Sequence, residues 1–124
     1  MLGLTEAQLK ASVLDYLTYG MNQGKWWFTR LNSGKAFVKR GGKDYMIQLC
    51  DEGTFDLLVI KGRFMEDGRM FGRPLIYFIE LKVGRGRLSP AQEAFRILIE
   101  MQGCNAVVAR SLEELEKVLS IEGG

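Results

Sequence analysis

Three polar residues interrupt the most apolar stretches of this 124-residue chain. Glu80 and Lys82 close the run Leu75 to Lys82 (L-I-Y-F-I-E-L-K), and Asp56 breaks the run Phe55 to Ile60 (F-D-L-L-V-I). One residue separates Glu80 from Lys82, so on a strand both side chains share a face while Leu81 points the other way. Alone, E-x-K on a strand is a common ion pair. A lone aspartate among apolar residues, however, costs stability unless something partners it. If residues 61–74 close a hairpin, residue 60 faces roughly residue 76, and Asp56 falls roughly opposite Glu80. Directly opposite Cβ atoms stand about 4.5–5.5 Å apart. Two carboxylates that close repel unless a cation sits between them. Mg²⁺ suits such a pair: it takes oxygen ligands, needs few carboxylates and leaves room for waters and a phosphate. The Leu81 carbonyl is a candidate for a further oxygen. A metal held there polarises a phosphate and orients or deprotonates a water. Lys82 then positions that water or offsets the charge of the transition state. That chemistry is phosphodiester hydrolysis.

Composition narrows the alternatives. The chain contains no histidine, which removes every mechanism that needs imidazole as base or ligand. It has no GxxxxGK[ST] loop and no GxGxxG. Cys50 and Cys104 form no CxxC pair and read as thiols of a reducing cytosol. No stretch approaches the ~18 apolar residues that span a bilayer, and Met1 is followed by a helix start instead of a leader pattern. An intracellular protein with no membrane partner is expected. Net charge is only +2, but it is unevenly spread. Lys25, Arg30, Lys35, Lys39, Arg40 and Lys43 occur with no acidic residue among them. Lys61, Arg63, Arg69, Arg73, Lys82, Arg85 and Arg87 form a second basic group, whereas Glu113, Glu114 and Glu116 make the last helix acidic. Such segregation gives a weakly charged protein one positive face, a footprint for nucleic acid.

The elements that must position these residues are readable from period and punctuation. At 47% hydrophobic and 26% charged, the chain fits one domain over residues 1–124, large enough for a core without disulfides. Thr5-Glu6-Ala7-Gln8 is a capping box. Leu9, Val13, Leu14 and Leu17 follow at helical spacing, and Gly20 is the natural stop of a helix over about 5–19. Residues 25–32 read as a strand, and Trp26 and Trp27 on opposite faces leave at most one for the core. Asn32-Ser33-Gly34 is a turn signal, 36–38 a second strand, Gly41-Gly42 a break, and 45–49 a short third strand. The three together predict a meander. Strands at 55–60 and 75–82 follow. Ser89-Pro90-Ala91-Gln92 is a capping box with proline at N1, opening a helix over about 90–102 with Ala91, Ala94, Phe95, Leu98 and Met101 inward. A strand at 105–109 and a helix capped by Ser111, with Leu112, Leu115, Val118 and Leu119 inward, end the fold; Glu122-Gly123-Gly124 frays. The order α-β-β-(β)-β-β-α-β-α predicts an α/β fold, a mixed β-sheet flanked by helices. Its last two strands run parallel through a helical crossover.

G-T-F-D (53–56), I-E-L-K (79–82) and L-S-P-A-Q (88–92), with R-L-N-S-G (30–34) upstream, resemble the VRR-NUC branch of the PD-(D/E)XK nuclease superfamily over most of the chain. The resemblance implies a restriction-endonuclease-like core and Mg²⁺- or Mn²⁺-dependent DNA cleavage. It implies that Asp56 and Glu80 bind metal and that Lys82 is catalytic. Gln92 resembles a further active-site residue of the branch, beside its capping role. Glu6 resembles the glutamate often found near such sites on the first helix, where it is also a favourable acid at a helix N-terminus. Phe55 stands where the family often has proline. Stand-alone members of this size, common in phages, resemble Holliday junction resolvases and are typically homodimers, which implies a structure-selective endonuclease for branched DNA. The alternatives are a non-catalytic nucleic-acid-binding module on the same fold, and a structural protein in which Asp56, Glu80 and Lys82 form a buried ionic cluster.

Overall fold

In the computed structural model, which describes residues 3–31, 35–48 and 50–120, three helices and six strands follow the expected order. These are α1 (Glu6–Asn22), β1 (Trp27–Arg30), β2 (Lys35–Arg40), β3 (Lys43–Gln48), β4 (Leu57–Lys61), β5 (Leu75–Leu81), α2 (Pro90–Met101), β6 (Asn105–Ala109) and α3 (Leu112–Ser120). The Asn32-Ser33-Gly34 turn and the 122–124 tail lie outside the described residues.

A four-stranded mixed sheet runs in the order β1-β4-β5-β6, with the first two pairings antiparallel and β5-β6 parallel. Period two divides its residues. Leu57, Val59, Tyr77, Ile79, Leu81 and Ala109 turn to one face and bury against Leu9, Val13 and Leu17 of α1 and Leu115 and Leu119 of α3. Phe78 turns to the other face, where Phe95 of α2 meets it edge-on at 5.4 Å and also meets Phe55 at 5.1 Å. The 61–74 segment does form a hairpin: Phe64 bridges Met70, and Ile60 pairs with Ile76.

Three expectations are corrected. The meander is not formed. β1 pairs with β4, while β2 and β3 make a separate two-stranded ribbon that packs on no other element to a comparable degree. The apolar β4 gives β1 both a ladder and a core to join, and Phe28 packs against that core. The ribbon offers no such face: Phe37, Val38, Tyr45, Met46 and Ile47 are all exposed. The second correction is the stripe of α2. Ala94 is exposed, and Leu98 and Met101 are 59% and 72% exposed. The helix leans on β6 and on the Phe55–Phe95–Phe78 stack, which take only part of its apolar arc.

The third is the end of α1. The helix passes through Gly20 and stops only at Asn22, before Gly24 at φ 76°. Gly20 serves packing instead. Trp26 is 8% exposed, its indole N–H donates to the Leu17 carbonyl at 2.9 Å, and its ring lies flush on Gly20; Trp27 is the exposed member of the pair. A Cβ at position 20 would lie 2.1 Å from the indole Cζ2, so Gly20→Ala must expel the ring. Better helix propensity returns about 1 kcal/mol, but overpacking and the lost indole bond cost more. A net loss of about 2 kcal/mol is expected, read as a lower urea midpoint at unchanged m-value with red-shifted tryptophan emission.

Candidate active site

The site forms where β4 begins, β5 ends and α2 starts. Asp56 lies one residue before β4, where the chain bends, so its backbone and side chain take the place of a further ladder pair. Its N–H donates to Glu80 Oε1 at 3.2 Å, and its Oδ2 accepts from the Leu81 N–H at 3.4 Å. The cross-strand placement expected from hairpin counting is thus present. Glu80 is 4% exposed, the buried charged residue of the core region. Its Oε2 accepts from Gln92 Nε2 at 2.9 Å and lies 3.7 Å from Lys82 Nζ.

Gln92 carries two roles at once. Its Oε1 accepts the Ser89 N–H at 2.9 Å and its N–H donates to Ser89 Oγ at 3.1 Å, completing the capping box. Its Nε2 is then left directed at Glu80. The helix start is pinned from behind by the turn before Asp56. Gly53, at φ 92°, lies so close to α2 that an added Cβ would stand 2.4 Å from the Ala91 carbonyl oxygen. Phe55 is fully buried on Phe95. Gly53 and Phe55 are therefore positioning residues that the sequence marked only as a turn and a departure from a motif. The glycine in G-T-F-D was the available signal. Glu6 stands apart: it is exposed in the first turn of α1, and among the described residues no group of three or more acidic or thiol side chains gathers around one point.

Burial first, and then the neighbouring Asp56 carboxylate, push the Glu80 carboxyl from its ordinary 4.5 up to about 7. Lys82, the Asp56 N–H and Gln92 pull the other way and do not cancel that rise. The donor set is all oxygen. The N–H and C=O of one strand residue point to the same side, so the Leu81 carbonyl faces the side on which its N–H meets Asp56. Two carboxylates and a carbonyl, whose crowding the Lys82 ammonium at 3.7 Å does not cancel, fit a hard divalent cation.

The chain matches no family model, no curated protein and no solved structure. Geometry and chemistry are left to carry the functional reading. Among the described residues, no helix is long and apolar enough to cross a membrane. Cys50 and Cys104 are half-buried and not disulfide-bonded.

Proposed function

We propose that this protein is a metal-dependent DNA endonuclease of the PD-(D/E)XK superfamily, VRR-NUC branch, with Asp56, Glu80, Lys82 and Gln92 as its active site. The observation that carries the reading is the union of a buried, charge-deficient Glu80 with Asp56 across the strand end and a lysine beside it. Asp56, Glu80 and the Leu81 carbonyl would hold Mg²⁺ or Mn²⁺, which when bound supplies Lewis-acid activation of a phosphate and a water. Lys82, 21% exposed in its side chain, reaches the same point from the solvent side. Its ammonium offsets the charge that develops on the phosphate oxygens. Gln92 holds the Glu80 carboxylate in one orientation. A histidine-free site of this kind has no imidazole base, so water activation falls to these groups.

The substrate is DNA, taken by structure in preference to sequence, with branched or junction DNA as the favoured form. A homodimer would cover part of the apolar surface left open on α2 and on the β2–β3 ribbon. The test is a panel of four-way junction, flap and plain duplex, each with Mg²⁺, Mn²⁺ or EDTA, beside a solution mass. Metal-dependent nicking of at least one substrate is expected. Metal-independent binding with no product from any of them would leave a binding module and overturn the reading.

A further inference from the structure

Beside the active site, one strand over, lies a hollow of about 410 Å³ lined by Arg87, Leu88, Glu93, Arg96, Val108 and Arg110. Its placement follows from the parallel register. Glu80 pairs with Val108 and Leu81 with Ala109, and the Lys82 N–H donates to the Ala109 carbonyl at 3.1 Å. Arg110 therefore stands level with Lys82, and alternation puts Val108 and Arg110 on the face that carries Glu80 and Lys82. The sideways step between strands is about 4.8 Å. α2 spans both places: Gln92 meets Glu80, and Arg96 follows one helical turn later.

Three guanidinium groups reach this hollow from three separate segments, the β5–α2 loop, α2 and the residue after β6. Arg110 Nη1 donates to the Gly84 carbonyl at 3.2 Å, which ties the loop to the sheet. Arg96 is held by Glu93 at 2.6 Å through Nε and by Glu100 at 2.9 Å through Nη1. Among the described residues neither the Arg87 nor the Arg110 guanidinium has a carboxylate within ion-pair distance, although the Arg110 backbone N–H donates to Glu114 Oε2 at 2.7 Å. Glu93 and Glu100 offset the charge of Arg96, so the guanidinium groups that bring unpaired charge to the lining are those of Arg87 and Arg110. Like charges gathered in a hollow repel, and an anion relieves that repulsion. Planar arginine forks match phosphate and carboxylate oxygens bidentately, and a nucleic-acid backbone presents phosphates.

We infer that Arg87, Arg96 and Arg110 form a phosphate subsite that takes a backbone phosphate adjacent to the one cut at Glu80 and Lys82. The location rests on the nuclease reading above. Neighbouring phosphates of one strand rise by about 3.4 Å along the duplex axis and are set further apart by its winding, a separation that the step between adjoining strands together with the reach of an arginine side chain spans. The subsite would fix how the DNA strand crosses the sheet: from Lys82 toward β6, under the first half of α2.

The test is the double variant Arg87→Ala/Arg110→Ala, with Lys10→Ala/Lys117→Ala on α1 and α3, across the sheet, as a charge-matched control. Binding to a fluorescent duplex is titrated in EDTA over a range of KCl concentrations. The double variant is expected to bind about tenfold more weakly, as for a lost charge-assisted contact, with the log–log salt slope reduced by about 1. The control should change affinity by no more than about twofold, the effect of the general field. Competition by covalently closed circular DNA, by 5′-phosphorylated ends and by 5′-hydroxyl ends then separates an internal phosphate from a terminal one. Equal affinity and slope for the double variant and its control would overturn the subsite. If the double variant does not fold, Arg87→Ala alone, on an exposed loop, reads the same slope. Because binding is read without cutting, the subsite is measurable whether or not DNA is cleaved. Cleavage without arginine dependence would sink the subsite and leave the nuclease standing.

Discussion

On the proposed nuclease function, Lys82→Met is expected to lower single-turnover cleavage of junction DNA by about 10²–10³-fold, the usual cost of removing one preorganised charge aimed at a developing oxyanion. The fold has little reason to respond. Lys82 sits just past the end of β5, and its contact with Glu80 is long, at 3.7 Å, and partly exposed. Exposed or loosely paired charges contribute about 0–1 kcal/mol. A thermal midpoint near that of wild type should therefore accompany the loss of rate. A second effect separates catalysis from structure. Lys82 is one of the groups that favour ionised Glu80, so its removal makes that carboxyl harder to ionise. The Mg²⁺ concentration for half-maximal rate should rise as well, most clearly below neutral pH. Cleavage by Lys82→Met within threefold of wild type at saturating Mg²⁺ would remove these residues from the chemistry.

The metal-free protein is expected to lose stability as pH rises, the reverse of ordinary acid denaturation. Glu80 has a folded-state value of about 7 against an ordinary 4.5. Between those values the folded state binds more protons than the unfolded state, so unfolding free energy falls with pH. The contribution is fully present below about 4.5 and is lost as pH passes through about 7. Its full size is roughly 3 kcal/mol, a large share of the 5–15 kcal/mol that holds a domain together. Urea melts in EDTA at a series of pH values between those limits and somewhat above read it directly. Glu80→Gln removes the slope, because the amide stays neutral throughout. One of the donors facing Glu80, the Asp56 N–H or Gln92 Nε2, then loses an acceptor, which trims the gain in alkaline solution to about 1–2 kcal/mol. On the proposed function, Mg²⁺ at a hundred times its Kd is expected to restore about 2.7 kcal/mol in wild type at alkaline pH. An identical pH slope in Glu80→Gln would show that some other group sets it.

The part of this site that could be read from residues alone is the part built by local period. Alternation placed Glu80 and Lys82 on one face, and hairpin counting brought Asp56 to Glu80, because β4 and β5 are joined by a connection whose ends must meet. Capping chemistry placed Gln92 at the start of α2. What escaped was decided by competition over distance. β1 chose β4 over its neighbour in sequence, since ladder partners are selected by the surface each can bury, and no local pattern records that choice. The apolar arc of α2 was visible, but not how little of it the sheet would cover. Gly20 looks like a helix stop until Trp26 is laid on it. Phe55, judged against a motif, reads as a substitution; in three dimensions it is the aromatic that seats α2 and so aims Gln92.

The β2–β3 ribbon leaves the body and returns to it at nearly one point: the Leu31 N–H donates to the Asp56 carbonyl at 2.7 Å. The ribbon itself is a detour closed at its base, next to the carboxylate but outside the core. Lengthening such a detour costs only about 0.6 kcal/mol for each doubling of its residues. The turn between β2 and β3 is thus a place where the chain can acquire new reach by insertion without moving Gly53, Phe55 or Asp56. Descendants of this protein would be expected to diverge in length at the turn between β2 and β3, residues 41–42, long before they diverge in the sheet.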